Sequence, residues 1–186
     1  MNPSVEDFIK AVDSLNADNI FILPNNSNII LTAENVCDVS DKNIIVIPTR
    51  TIPQGIQALI NYDDSLDLNT VTEEMTKSLE EVKSGAITYA VRDTVIDGRD
   101  IKKGDYMAII EKDIVASDSD RYDVLKQAID SVVDEDTSIV TLFAGEEIDD
   151  ATLEEDVANL SEAYPDLDIE SARGDQPVYY YLLSIE

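Results

Sequence analysis

Apolar residues recur along the chain in two rhythms, and the change from one to the other divides it. Ser4 can cap a helix, with Asp7 three residues on in place of the usual Glu, and Val5, Phe8, Ile9 and Val12 then form a stripe at helical spacing. Asn19 to Leu23 is a short apolar run stopped by Pro24, which suits a strand buried on both faces of a parallel sheet. The polar turn Asn25-Asn26-Ser27-Asn28 follows, after which Ile29, Ile30, Ala33, Val36 and Cys37 return to helical spacing. A second run, Asn43 to Ile47, is closed by Pro48. Strand, polar turn, helix, strand predicts a βαβ unit with a right-handed crossover. Beyond Thr49-Arg50-Thr51-Ile52-Pro53-Gln54-Gly55 a helical stretch carries Ile56, Leu59 and Ile60. Asp63 to Asn69 reads as an acidic loop, and Thr70 or Thr72 can cap a helix carrying Met75, Leu79 and Val82 that Gly85 ends.

After Gly85, β-branched and aromatic residues dominate. Ala86 to Val95 and Tyr106 to Val115 read as antiparallel strands, joined by a linker headed by the Asp97-Gly98 turn. A helix around Tyr122 to Val133 carries Val124, Leu125, Ala128, Ile129 and Val132 on one side. Ser138 to Ala144 reads as a strand, Leu153 to Tyr164 as a helix with an acidic outer face, and Pro177 to Ile185 as a terminal strand. The expected fold class is α/β: a βαβ parallel-sheet lobe over residues 1–84, then an α+β lobe with antiparallel strands over residues 85–186.

Charge narrows the function. The chain holds 40 Asp and Glu against 13 Lys and Arg, a formal net charge of −27. Residues 113–186 alone carry 21 acids and three bases. So negative a surface repels phosphate backbones and anionic lipid heads, which argues against nucleic acid and membrane surfaces as partners. Strong acidity also serves solubility alone. No apolar run reaches the length of a spanning helix, so direct membrane insertion is not expected. The single Cys37 cannot form an internal disulfide, which fits a reducing cytoplasm.

Histidine is absent from the sequence, which removes histidine-based nucleophile systems, imidazole metal sites and histidine proton shuttles. One cysteine excludes Cys-rich structural zinc. Neither a Walker loop nor a Gly-x-Gly-x-x-Gly fingerprint occurs. The runs Asp134-Glu135-Asp136 and Glu146-Glu147-Ile148-Asp149-Asp150 miss the spacing of a calcium loop and read as solvated helix ends. No catalytic and no metal-binding residue is therefore assigned.

Ligands of open α/β sheets gather at the carboxyl ends of parallel strands. Here those ends carry Asn25, Asn26, Ser27 and Asn28 after the first strand, and Thr49, Arg50, Thr51, Gln54 and Gly55 after the second. Parallel neighbours would set the two loops side by side as a polar, mildly cationic rim. The same residues also serve as ordinary turn and cap chemistry, with Arg50 paired to a nearby carboxylate. Arg92 and Asp93, placed inside a strand, form a second candidate site, for which cross-strand ion pairing is the simpler account. The run Tyr179-Tyr180-Tyr181 alternates faces, so core packing explains it better than an aromatic recognition platform.

Four stretches in order, Pro24-Asn25-Asn26-Ser27-Asn28-Ile29-Ile30, Ile47 to Gly55, Thr88-Tyr89-Ala90-Val91-Arg92-Asp93-Thr94 and Gln176-Pro177-Val178-Tyr179-Tyr180-Tyr181, resemble the C-terminal domain of the bacterial fatty acid kinase catalytic subunit. That family is often labelled dihydroxyacetone-kinase-like, and the resemblance covers nearly the whole chain. Met1-Asn2-Pro3-Ser4 is similar to the end of the family's Gly-Gly-Gln-Thr-Met-Asn-Pro-Ser segment, so a fragment lacking an upstream piece of the first lobe is expected. Gly174-Asp175-Gln176-Pro177 departs from the pattern, with Asp where members often carry a second Gly. The resemblance implies a DegV-like fold. It also implies an ATP-dependent acyl kinase serving phospholipid metabolism, in which ATP and magnesium belong to an N-terminal kinase domain and no cofactor belongs to this chain. The implied partners are a DegV-like fatty-acid-binding protein and the kinase domain of the chain's own full-length protein. A docking and regulatory domain, not catalytic alone, is one expectation. A small fatty-acid or carboxylate-binding module, with Arg50 and the Asn-rich loop as an anion clamp, is the other.

Overall fold

The computed structural model describes residues 2–96 and 98–186. Met1 of the Met-Asn-Pro-Ser segment and Asp97 of the Asp-Gly turn lie outside the described residues. The chain divides into two compact units, the first ending at Val82 and the second spanning Lys83–Glu186.

The first unit opens with helix α1 (Val5–Ser14), whose capping box is complete: the Ser4 hydroxyl accepts from the Asp7 amide at 3.2 Å and the Asp7 carboxylate accepts from the Ser4 amide at 2.9 Å. Strand β1 (Asn19–Ile22), helix α2 (Ile30–Cys37) and strand β2 (Asn43–Val46) follow, with β1 and β2 paired in parallel from Asn19 opposite Asn43 to Ile22 opposite Val46. Both strands are apolar on both faces because helices cover both. Ile20, Ile22 and Ile44 pack with Val12, Ala33 and Val36 on one side. Phe21, Leu23, Ile45 and Ile47 meet Ala58, Val71, Met75 and Leu79 on the other. That second layer comes from helix α3 (Ile52–Ile60), helix α4 (Leu68–Lys77) and a 3-10 turn over Ser78–Glu80. Here the structure corrects two readings. Helix α3 begins at Ile52 rather than near Ile56, and the cap of α4 is Asp67 rather than Thr70 or Thr72.

The second unit is built on a six-stranded sheet in the order β7-β6-β3-β10-β8-β9. Its members are β3 (Lys83–Tyr89), β6 (Tyr106–Ile110), β7 (Asp113–Asp118), β8 (Ile139–Ala144), β9 (Asp168–Arg173) and β10 (Tyr181–Ile185), and a separate hairpin joins β4 (Thr94–Ile96) to β5 (Arg99–Ile101). All neighbours in the sheet run antiparallel except β8 and β9, which are parallel and connected through helix α6 (Asp150–Ala163). Helix α5 (Arg121–Asp130) lies against β3, β6 and β7. Val124, Leu125, Ala128 and Ile129 of α5 and Leu153 and Leu160 of α6 share one core with Ile87, Val140, Leu142 and Leu183. Each such aliphatic side chain withdrawn from water contributes about 1.5–3 kcal/mol before chain entropy is charged.

The long strands expected over Ala86 to Val95 and Tyr106 to Val115 are each two strands, and Gly85 lies within β3 rather than at a helix end. As a result Arg92 and Asp93 are not inside a strand. They lie in a bend between β3 and β4, where Asp93 Oδ1 accepts from the Lys103 amide at 2.8 Å and ties two turns together. Among the described residues Arg92 forms no ion pair.

Candidate functional site

The loops leaving β1 and β2 are neighbours because the strands are, and Thr49 joins them. It is fully buried, and its hydroxyl oxygen accepts from the Asn25 amide at 2.9 Å. Asn25 has a φ of 56°, in the left-handed region that asparagine tolerates better than most residues. Its side chain lies over the first turn of α3, and Gly55 provides the room: a Cβ there would stand 2.2 Å from Asn25 Oδ1. That oxygen is buried and has no hydrogen-bond partner among the described residues. The loop then tightens through an Asx-turn, in which Asn26 Oδ1 accepts from the Asn28 amide at 2.9 Å.

On the other loop Thr51 caps α3, its hydroxyl accepting from the Gln54 amide at 3.3 Å. Gln54 works in two directions: Oε1 accepts from the Arg50 amide at 2.8 Å, and Nε2 donates to the Leu79 carbonyl at 3.3 Å. The start of α3 is thus tied to the 3-10 turn after α4. Ser27, Asn28 and Arg50 face solvent, while Asn26, Thr51 and Gln54 are half-buried behind them. Arg50 forms no ion pair among the described residues. A guanidinium beside the amino end of a helix offers hydrogen-bond donors and positive potential on an otherwise acidic protein, chemistry suited to a carboxylate.

Nine of the expected site residues, Asn25 to Asn28, Thr49 to Thr51, Gln54 and Gly55, therefore come together in the first unit. Arg92 and Asp93 belong to the second unit. The acidic runs are engaged as helix and turn chemistry: Asp149 caps α6 through the Thr152 amide at 2.8 Å, and Asp134 accepts from Lys83 Nζ at 2.7 Å. Sequence reasoning missed the apolar outer face of α3 next to the rim, where Ile52, Leu59 and Ile60 are exposed. The signal was present in Pro53, Gly55 and Ala58, whose small or compact side chains mark the face that packs closely.

Residues 1–186 match end to end the family described as the FakA-like C-terminal domain of fatty acid kinase. An uncharacterized protein of Staphylococcus saprophyticus is 44% identical over 187 residues, an alignment covering 100% of this chain and 34% of that protein. Protein YloV of Bacillus subtilis is 42% identical over 186 residues, again covering 34% of its length. The chain thus spans about a third of these curated relatives. Among solved structures, the fatty acid kinase B3 protein of Streptococcus pneumoniae, loaded with linoleic acid, superposes with a TM-score of 0.68 at 16% identity, covering 99% of this chain and 76% of that one. A DegV family protein of Corynebacterium glutamicum gives 0.64 at 12% identity, over 97% and 79% of the two chains. The dihydroxyacetone kinase of C. freundii gives 0.62 at 12% identity, over 98% and 41%. Likeness at such low identity shows the fold, which is DegV-like: a parallel βαβ unit followed by a mostly antiparallel sheet. Among the described residues no helix is long and apolar enough to cross a membrane. With its whole length matched and relatives above 40% identity, the chain belongs to the FakA-like C-terminal family of fatty acid kinases.

Proposed function

We propose that this chain is the docking and regulatory domain of a two-component fatty acid kinase. It binds a DegV-like, fatty-acid-carrying protein through the rim of Asn25 to Asn28 and Thr49 to Gly55, and it does not phosphorylate alone. ATP and magnesium belong to the kinase domain of the longer polypeptide, which is its second partner, and the assembly works in the cytoplasm. The observation that supports docking over ligand storage is the filling of the strand ends. Buried Thr49, and the Asn25 side chain laid on Gly55, occupy the crevice from within, while Ser27, Asn28 and Arg50 point outward. A fatty acid held by Arg50 needs space for its chain at that same crevice. Donors presented outward on rigid loops suit a protein surface instead.

The test is Arg50→Glu, titrated calorimetrically against the DegV-like protein loaded with fatty acid. Reversing a rim charge is expected to weaken binding about tenfold with the melting temperature unchanged, because Arg50 is exposed and outside the core. Unchanged affinity removes the rim from the interface. Saturable binding of a free fatty acid by this chain at one to one replaces docking by storage.

A further inference from the structure

A pocket of about 310 Å³ in the second unit is lined by Tyr89, Tyr180, Glu146, Glu147, Pro177 and Val178. Its walls come from three places: the end of β3, the loop after β8, and the segment entering β10. Tyr180 stands between two other rings, edge-on to Tyr89 at 6.3 Å and to Tyr106 at 5.1 Å. Both glutamates are exposed, and neither forms an ion pair among the described residues. The walls are fixed before anything binds. The Thr88 hydroxyl donates to the Val178 carbonyl at 3.1 Å, the Gly145 amide to Tyr180 O at 2.9 Å, and the Glu146 amide to Gln176 O at 3.1 Å. Gly145 is the point of closest approach, since a Cβ there would lie 2.0 Å from the Tyr179 carbonyl oxygen. Val178 is held at a φ of 75°, a conformation costly for a β-branched residue.

We infer that this pocket takes a guanidinium, presented by an arginine on a partner protein. Aromatic rings beside unpaired carboxylates favour an organic cation, and the planar guanidinium satisfies both, stacking on a ring while bonding carboxylate oxygens in pairs. The unit's charge selects the same class, with 26 Asp and Glu against nine Lys and Arg over residues 83–186. This also argues against a second copy of the chain as the partner. The inference does not depend on the first-unit rim.

The probe is Nα-acetyl-arginine amide, titrated into the whole chain while backbone amide NMR shifts are followed. Saturable millimolar binding is expected, with shifts concentrated at Gly145, Glu146, Val178 and Tyr180, and Nα-acetyl-lysine amide binding more weakly. Glu146→Gln with Glu147→Gln is expected to lower affinity about tenfold. Tyr89→Leu, which leaves the charge alone, is expected to lower it about threefold. Linear shifts spread over all acidic surfaces, equal binding of the lysine probe, or affinity indifferent to both variants would overturn the assignment. A short arginine peptide binding no better than free acetyl-arginine amide would overturn the protein as its source.

Discussion

One buried carboxylate joins three elements of the second unit. Asp156 on α6 is 3% exposed, and both of its oxygens bond the Arg121 guanidinium of α5, the Nη2 contact at 3.2 Å. The Tyr181 hydroxyl, from the first residue of β10, donates to the same carboxylate, and Arg121 lies 5.5 Å from the centre of the Tyr181 ring. Burial, then the bond to Asp156, pushes the Tyr181 hydroxyl well above the usual phenol range, so it remains a donor at any ordinary pH. A buried ion pair returns its desolvation cost only while every partner is present. Asp156→Ala, which strands the guanidinium, is therefore expected to cost about 3–5 kcal/mol in chemical denaturation, whereas Asp156→Leu with Arg121→Met costs much less. Equal losses would show that side-chain packing, not charge, holds the three elements together.

At the scale of elements, local chemistry was legible wherever a single group decides a boundary. Ser4 with Asp7, the paired apolar runs and their prolines fixed α1, β1 and β2, and the parallel pairing of the two strands made the neighbouring loops of the rim legible too. Competition between groups was not. Asp67 accepts the amides of both Asn69 and Thr70 and also the Thr70 hydroxyl, so the threonine that looked like a cap is a donor to one. Gly85 resembled a helix stop, but it sits where Ile110 and Leu183 close on β3, contacts set by strands far away in sequence. Strand β9, Asp-Ile-Glu-Ser-Ala-Arg, is an edge strand exposed at most positions; its backbone pairing with β8 defines it, and it shows no apolar alternation. The tyrosine pocket depends on the register of β3 against β10, which no local pattern encodes. Helix α3 shows the same limit on its own face. Its apolar residues suggested burial of Leu59 and Ile60, yet these are 60% and 70% exposed while Ala58 is fully buried. Leu59→Ser with Ile60→Ser is accordingly expected to change stability by no more than about 0.5 kcal/mol. Ala58→Leu, forced into a filled layer, is expected to cost about 1–3 kcal/mol. Thermal melts in the reverse order would mean that α3 is rotated about its axis.

For the whole molecule, two electrostatic effects act at different ranges. The net charge of −27 at pH 7 opposes compaction at long range, and salt screens it over about 10 Å at 0.1 M. Short-range hydrogen bonds do the opposite for individual carboxylates. The Ser4 backbone amide and hydroxyl lower the Asp7 carboxyl, the Thr70 hydroxyl and amide lower that of Asp67, and the Thr152 amide lowers that of Asp149. Bonds from Lys83, then Thr137 and the Asp136 amide, bring Asp134 down to about 2. All four are depressed on folding, so below the ordinary aspartate value of about 4 the unfolded chain binds more protons than the folded one. The stability they contribute is complete above that value and is lost as pH falls toward 2. The melting temperature at pH 7 is therefore expected to rise with added salt, and at fixed salt to fall steeply below about pH 4. The acid fall should persist in high salt, because capping bonds at hydrogen-bond distance lie well inside the screening length. Melts recorded across pH at low and high salt separate the two effects: an acid limb that disappears in salt would assign it to net charge, and a melting temperature at pH 7 indifferent to salt would show that the acidic surface spreads its charge too widely to strain the fold.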